Sequence, residues 1–130
     1  MVDDMGLFRT AIAIAPLTAP ERRIEVADVL VDTGSEYNWL PTSLLEQLGI
    51  ARVRVDRFET ADGRVLERDV GFAIIHAGGR STPTLVVFAN DGDMVLLGAI
   101  ALEGLNLRVD RLRRQLVSAG PVPVAQLALA

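Results

Sequence analysis

The sequence predicts an all-β fold, a closed barrel or a sandwich made of short strands. Apolar runs are brief and are separated by turn residues at intervals of about eight to twelve positions, as in β-sandwiches and barrels. An Asp-Gly pair in the middle of the chain is a strong hairpin signal. Strands do not alternate with long helices, which argues against nucleotide-binding α/β folds. With 130 residues, the chain is long enough to form one domain with its own core.

Two strands open the chain and form the first predicted hairpin. Leu7 to Ala15 is apolar, and a segment bounded by two prolines ends it. Arg22 to Val31 follows, with Ile24 and Val26 on one face and charged residues on the other. We expect the two strands to pair, so that the second leads directly into Asp32.

One short helix is predicted next, over Thr42 to Leu48. Ser43 and Glu46 have the spacing of a capping box, and Gly49 stands where a helix is expected to end. The segment before the helix is predicted to be a loop that carries Tyr37, Trp39 and Pro41.

The middle of the chain is predicted to form a second hairpin. Arg52 to Glu59 alternates polar and apolar residues, as a half-exposed strand does. Thr60 to Arg64 contains the Asp-Gly pair and forms the turn. Val65 to Ile75 continues as a strand, with Leu66, Val70, Phe72 and Ile74 on one face.

The rest of the chain is predicted to contain short strands, with one short helix over Ala99 to Gly104. Turns are expected at Gly78-Gly79 and over Asn90 to Asp93. The predicted strands are Thr84 to Phe88, Met94 to Leu97, Leu107 to Val109 and Gln115 to Val117. These elements give a single domain over residues 1–120, followed by a tail over residues 121–130 of uncertain structure.

Composition narrows the possible chemistry. The chain has no cysteine and no lysine, and His76 is its one histidine. Disulfides, thiolate nucleophiles and Schiff-base lysines are therefore excluded, and a histidine zinc site or a Ser-His-Asp triad is a poor candidate. We expect neither a metal nor an organic cofactor. A turn or surface role for His76 is favoured over a catalytic one.

Charge gives no reason to expect an anionic partner. The net charge is -4, so neither nucleic acid nor an anionic membrane is an expected partner. The arginines of the last hairpin are interpreted as a solvated surface: Arg108, Arg111, Arg113 and Arg114. The first residues are acidic, and Arg9 interrupts the nearby apolar run, which favours a cytoplasmic protein over an exported one.

An apolar strand ends in a carboxylate at Asp32, within the string Val-Leu-Val-Asp-Thr-Gly over Val29 to Gly34. A half-buried acid must be hydrogen-bonded, paired or protonated. Gly34 has no Cβ and lets another group approach closely. By itself the string fits an ordinary turn as well as an active site.

Three features occur in a particular order and carry a resemblance. An apolar strand ends in Asp32-Thr33-Gly34-Ser35, a hairpin has Ala61-Asp62-Gly63 at its tip, and Val95-Leu96-Leu97-Gly98 precedes a short helix. This order resembles the retropepsin-like aspartic proteases, the single-domain group of retroviral proteases and their bacterial relatives, and a member of the bacterial type is expected. The resemblance implies a closed acid-protease barrel, a flap hairpin and a homodimer.

In this family the matching residues imply catalytic roles around one turn. Asp32 would be the catalytic aspartate, Thr33 would join the two active-site loops across the dimer axis, and Gly34 would permit close approach to substrate. A hydroxyl of Ser35 that donates to the carboxylate would favour its ionised form and activity at acid pH.

The resemblance also implies a substrate-binding set. The hairpin tip would cover the substrate, and the segment at Leu97 would cross beneath the catalytic loop. The predicted substrate-binding residues are Ser35, Ala61, Asp62, Gly63, Leu97 and Gly98.

The chemistry of this family uses two carboxylates that share one proton, and the chain has one Asp-Thr-Gly string. The polar turn at Asn90 to Asp93 is a weak candidate for the second acid. We therefore expect a homodimeric aspartic endopeptidase with Asp32 from each subunit, acting on peptide substrates. The alternative is a non-catalytic dimeric β-barrel that binds a peptide or a protein partner.

Overall fold

Nine strands and two short helices make up residues 8–125, the part of the chain that the computed structural model describes. The strands are β1 (Phe8–Ala15), β2 (Ile24–Val31), β3 (Asn38–Pro41), β4 (Arg54–Glu59), β5 (Val65–Ala77), β6 (Arg80–Ala89), β7 (Leu96–Leu97), β8 (Leu107–Asp110) and β9 (Gln115–Ser118). The helices are α1 (Thr42–Gln47) and α2 (Ala99–Leu105). Neither helix is long enough to span a lipid bilayer.

The strands close into a barrel. They follow the order β1-β2-β7-β3-β6-β5-β4, and an additional pairing of β1 with β5 joins the two sides. Six strands therefore form a closed ring, and β4 lies outside it, paired with β5 alone. Most pairs are antiparallel, but β2–β7 and β3–β6 are parallel. The prediction of an all-β fold with one or two short helices is confirmed.

The core fills the ring with aliphatic side chains. Ile14, Leu40, Ile75 and Leu97 have no exposed surface. Burial of each such side chain contributes about 1.5–3 kcal/mol. Helix α2 packs against β6, and a Cβ at its Gly104 would lie 2.4 Å from the hydroxyl of Thr82 on that strand. This close packing fixes the helix, and therefore the segment that precedes it.

Three predicted hairpins are confirmed by their strand pairing. β1 pairs with β2, β4 with β5, and β8 with β9. The turn at Gly78-Gly79 joins β5 to β6, with both glycines at positive φ. The first residue of the predicted opening strand, Leu7, lies outside the described residues, as does the part of the predicted tail over residues 126–130. Residues 121–125 form no helix or strand.

The predicted loop around Trp39 is wrong, because this segment is strand β3. It pairs in parallel with β6, from Asn38 opposite Val86 to Pro41 opposite Ala89. The strand has only four residues and its main partner is distant in sequence, so no local signal marks it. Pro41 is its last residue, where a missing N–H interrupts the pairing least.

The predicted helix α1 is present, but its capping box is wrong. Pro41 occupies the N-cap, and no side chain caps the helix. Ser43 is exposed, and the carboxylate of Glu46 instead accepts a hydrogen bond from Arg52 at 2.9 Å. The predicted end of the helix is confirmed, since Gly49 follows it at a φ of 71°.

The predicted apolar face of β5 is turned toward the core only in its first half. Val70 is buried, but Phe72 is 41% exposed, and beyond Gly71 the buried residues are Ala73, Ile75 and Ala77. Successive side chains point to opposite faces of a strand. The hairpin half of β5 is therefore covered on one face, and its barrel half on the other.

Candidate active site

Asp32 lies at the carboxyl end of β2, where the strand leaves the barrel wall. Val29, Leu30 and Val31 before it are buried, and Asp32 itself is half-buried. Its backbone N–H donates to the carbonyl oxygen of Leu97 at 2.9 Å, which extends the parallel pairing of β2 with β7 by one residue. The carboxylate therefore emerges from a fixed point of the barrel.

A tight turn holds the carboxylate. The N–H of Gly34 donates to Asp32 Oδ1 at 2.9 Å, and the N–H of Ser35 donates to the carbonyl oxygen of Asp32 at 3.1 Å. A backbone donor on an ionised carboxylate is a strong type of hydrogen bond. A Cβ at Gly34 would lie 3.2 Å from Oδ1, so any side chain there would press on the carboxylate. Thr33 is exposed at the outside of the turn.

The expectation that the hydroxyl of Ser35 donates to the carboxylate is wrong. Ser35 Oγ donates instead to the carbonyl oxygen of Tyr37 at 3.1 Å. The bond joins two residues of one turn, an alternative that serine commonly takes. Ser35 thus stabilises the loop and does not directly tune Asp32.

The loop rests on the segment that joins β7 to α2. The N–H of Ala99 donates to the carbonyl oxygen of Ser35 at 2.7 Å, and that of Ile100 donates to Glu36 at 3.0 Å. A Cβ at Gly98 would lie 2.3 Å from the carbonyl oxygen of Tyr37, so only glycine fits. Leu97 and Gly98 are both buried. They support the loop and do not line the groove, although they were predicted to bind substrate.

Asn38 completes this support, and sequence reasoning missed it. Its side chain has no exposed surface. Its Oδ1 accepts from the N–H of Gly98 at 2.8 Å, and its Nδ2 donates to the carbonyl oxygen of Leu85 at 2.8 Å. One amide thus joins β3, β6 and the segment beneath the loop. The sequence signal that could have identified Asn38 was its place as a polar residue directly before the apolar pair Trp39 and Leu40.

A groove of about 780 Å³ runs between the Asp32 loop and the middle hairpin. From the loop side it is lined by Asp32, Gly34, Ser35, Glu36, Tyr37 and Trp39. From the hairpin side it is lined by Asp56, Arg57, Phe58, Glu59 and Ala61. The structure therefore brings the Asp32 turn and the hairpin to one site, as the order of motifs predicts.

The hairpin tip is organised by its own side chains. Asp62 accepts hydrogen bonds from the hydroxyl of Thr60 and, at 3.1 Å, from Nε of Arg64. The bond from Thr60 is the main cause that lowers the pKa of Asp62. Gly63 follows at a φ of 87°, which the turn requires. Of the three predicted tip residues, Ala61 lines the groove, whereas Asp62 and Gly63 form the turn.

Aromatic contacts join the two sides of the groove. The ring of Phe58 packs edge-on against Trp39 at 4.9 Å and against Tyr37 at 5.5 Å between centroids. Arg54 donates to Asp56 at 2.8 Å and reaches the hydroxyl of Tyr37 at 3.5 Å. The bond from Arg54 is the main cause that lowers the pKa of Asp56. That carboxylate therefore has a partner of its own.

The other acidic candidate lies elsewhere. Asp93 accepts two hydrogen bonds from Arg68, at 2.8 and 3.0 Å, and a third from the N–H of Asn90. Asp93 and Asp91 line a different groove, next to Thr42. Asp93 of the polar turn is thus held in an ion pair with Arg68, and the turn does not bring a second acid to Asp32.

His76 lies outside the candidate site as well. It is half-buried near the end of β5, and burial is the main cause that lowers the pKa of its imidazole. It lines a separate groove with Arg23 and Arg80. His76 thus lies in a strand and not in a turn, and its expected non-catalytic role stays a prediction.

Comparisons with known proteins bear on this geometry. Residues 25–104 match the family model described as "gag-polyprotein putative aspartyl protease". That range includes the Asp32 turn, the hairpin and the Leu97-Gly98 segment. A solution structure of the simian foamy virus (mac) protease is similar at 17% identity and a TM-score of 0.49, over 73% of this chain and 91% of that one. A comparison with curated protein sequences gives no match.

Proposed function

Because this chain belongs to the gag-polyprotein aspartyl protease family, we propose that it is an aspartic endopeptidase whose catalytic group is Asp32. One observation carries the proposal. The carboxylate of Asp32 is fixed by the N–H of Gly34 and lines a groove that the middle hairpin borders. A fixed acid beside a groove suits a substrate that lies in an extended conformation.

The mechanism requires a second carboxylate beside the first. Two carboxyl groups share one proton because two like charges about 3 Å apart do not both ionise. The ionised group takes a proton from water, whose oxygen bonds to the carbonyl carbon, and the neutral group donates its proton to the carbonyl oxygen. The C–N bond of the tetrahedral intermediate then breaks as the newly protonated carboxyl group gives its proton to the leaving nitrogen, while the other carboxylate takes a proton from a hydroxyl of the intermediate. The dyad is restored at the end of the cycle.

We propose that the second carboxylate is Asp32 of another copy of the chain. Within residues 8–125, the other groove acids are Glu36, Asp56 and Glu59, and Asp56 is paired with Arg54. The turn that carries Asp32 exposes Thr33 and Gly34 to a neighbour. A two-fold axis beside this turn would place two copies of Asp32 together. Thr33 would then face its counterpart across the axis.

The test is cleavage of a diverse peptide library from about pH 4 to pH 7. The wild type is compared with Asp32→Asn, which keeps the shape of the side chain and removes its charge. The matched control is Asp91→Asn, at an exposed aspartate outside the groove. We expect Asp32→Asn to lose at least a thousandfold in kcat, and Asp91→Asn to retain full activity. Equal cleavage by the wild type and Asp32→Asn would falsify the proposed role of Asp32.

Assembly is tested separately by analytical ultracentrifugation. We expect activity to rise with the fraction of dimer, and Thr33→Val to weaken the dimer, since it removes a hydroxyl but keeps the volume. An active protein that stays monomeric at assay concentration would contradict the shared dyad. The alternative is a dimeric barrel that binds peptides without cutting them. It predicts a dimer that cleaves no peptide and that binds peptides equally well in the wild type and in Asp32→Asn. The proposal includes no cofactor, and a cytoplasmic location stays a prediction.

A further inference from the structure

The groove combines aromatic residues with exposed carboxylates. Tyr37, Trp39 and Phe58 line it with their rings. Glu36 and Glu59 line it as exposed acids, and neither forms an ion pair within residues 8–125.

Positive charge is scarce among the groove-lining residues that the structure describes. Arg57 is the one basic residue among the groove-lining residues described, and its Nε lies 4.0 Å from a carboxylate oxygen of Glu67 across the hairpin. Arg54 is bonded to Asp56, so this pair adds no net charge. The groove therefore presents an excess of negative charge next to aromatic rings.

From this chemistry we infer that the groove selects peptides with an arginine or lysine side chain close to the scissile bond. A guanidinium or ammonium group is attracted both to carboxylates and to the faces of aromatic rings, while its aliphatic stem packs on apolar surface. An acidic side chain in the same position would face like charges. The inference rests on the proposed function for the identity of the groove as the substrate site.

Glu36 is the principal specificity residue in this inference. It lies four residues after Asp32, and its backbone is fixed by the hydrogen bond from Ile100 to its carbonyl oxygen. This bond fixes the backbone that carries the carboxylate, four residues from Asp32 along the chain. Glu59 borders the groove from the hairpin, so its contribution to the preference for basic side chains depends on the position of the hairpin.

Equilibrium binding to the Asp32→Asn protein tests the inference without turnover. The probes are fluorescein-labelled decapeptides that differ at one central position, which carries Arg, Leu or Glu, and the readout is fluorescence anisotropy. We expect the Arg peptide to bind at least about fivefold more tightly than the Glu peptide at low salt. The difference should shrink at 0.5 M salt, because exposed charges are screened.

Charge-neutral variants then assign the preference to residues. Glu36→Gln should reduce the Arg-over-Glu ratio about two- to fivefold, and Glu59→Gln should do so to a smaller extent. The matched control is Glu103→Gln, at an exposed acid on α2 outside the groove, which should leave the ratio unchanged. Equal binding of the Arg and Glu peptides, or a ratio that neither groove variant alters, overturns the inference.

Cleavage by the wild type separates this inference from the proposed function. Cleavage in which the Arg peptide has a lower KM than the Glu peptide, with a similar kcat, supports both the endopeptidase proposal and the inference about the groove. Cleavage without any preference overturns the inference and leaves the endopeptidase proposal intact. Preferential binding of basic peptides without any cleavage supports the groove inference and contradicts the endopeptidase proposal.

Discussion

The two sides of the groove are held by different kinds of interaction. The Asp32 loop rests on backbone hydrogen bonds, one that it donates to the carbonyl oxygen of Leu97 and one that it accepts from the N–H of Ala99. The fully buried amide of Asn38 holds the segment beneath it by accepting from the N–H of Gly98. The hairpin opposite is held by half-exposed rings and by ion pairs such as Arg64–Asp62, whose side chains are 70% and 64% exposed. Buried polar groups cost about 1–3 kcal/mol each when they lose a partner, whereas exposed ion pairs contribute about 0–1 kcal/mol.

This contrast gives the two sides different physical properties, a precisely held carboxylate on one side and a hairpin that can move at low energetic cost on the other. A reacting carboxylate must be held within a fraction of an ångström, because small misplacements slow the chemistry strongly. A cover over a substrate must open, and weak contacts let it do so at low cost. The protein places its strong contacts beneath Asp32 and its weak contacts at the hairpin.

The largest effect is expected from Gly98→Ala. The new Cβ would meet three backbone carbonyl oxygens, the nearest at 2.3 Å, and backbone yields less readily than a side chain. We expect a loss of about 3 kcal/mol in the free energy of unfolding, measured by urea denaturation, together with loss of activity. Gly34→Ala is the graded comparison, because its Cβ meets only the carboxylate of Asp32 at 3.2 Å. It should lower kcat while it changes stability by less than about 1 kcal/mol. Equal destabilisation by the two variants would contradict this account.

Asn38→Ala is expected to cause the next largest loss in the free energy of unfolding. It leaves the N–H of Gly98 and the carbonyl oxygen of Leu85 without their partner in a buried site. The expected loss is about 2 kcal/mol, again by urea denaturation. Asn38→Asp keeps an acceptor for Gly98 but buries a carboxyl group in place of the donor to Leu85, so it should destabilise the fold at least as much at neutral pH. A loss under about 0.5 kcal/mol for Asn38→Ala would show that the amide does not hold the loop.

Phe58→Leu should act on the hairpin and leave the loop intact. It removes two edge-on ring contacts, worth about 0.5–1.5 kcal/mol each, while keeping much of the apolar volume. We expect faster amide hydrogen exchange in β4 and a raised KM with little change in kcat. Phe72→Leu, at an exposed phenylalanine outside the groove, is the matched control. A fall in kcat with unchanged KM would place Phe58 in the support of Asp32 instead.

The smallest effect is expected at the tip, and it depends on pH. The pKa of Asp62 is lowered in the folded state, chiefly by the hydroxyl of Thr60, so its contribution is present above its ordinary pKa. That contribution is lost as the pH falls through the lowered value. Thr60→Val should return the pKa of Asp62 toward the ordinary range, measured by NMR titration of its carboxyl carbon. An unchanged titration curve would show that Thr60 does not stabilise the carboxylate.

The sequence predicted the features that depend on local pattern. The strand into Asp32, the Asp-Gly hairpin and the stop at Gly49 follow from alternation and turn chemistry, and each is present. The order of motifs also predicted which segments meet, since Gly98 lies directly against the Asp32 loop.

The features that it did not predict depend on distant partners. Strand β3 exists because it lies between β7 and β6, and Asn38 is buried because Gly98 and Leu85 are its partners. Ser35 and Glu46 had two possible partners each, and local pattern pointed to the wrong one in both cases. A polar side chain takes the partner that the folded chain presents, which short-range spacing does not encode.

Strand β5 has a consequence for how the protein can fail. Its residues 65–69 pair only with β4, whereas residues 74–76 are paired on both edges, with β6 and β1. The closed ring therefore needs only the second half of this strand. Proteolytic nicking of the exposed tip between Ala61 and Gly63 would leave that ring complete. Such a nicked molecule would pass a test of thermal unfolding yet lack an intact hairpin beside the groove, so the amount of folded protein and the amount of protein with a complete groove must be measured separately.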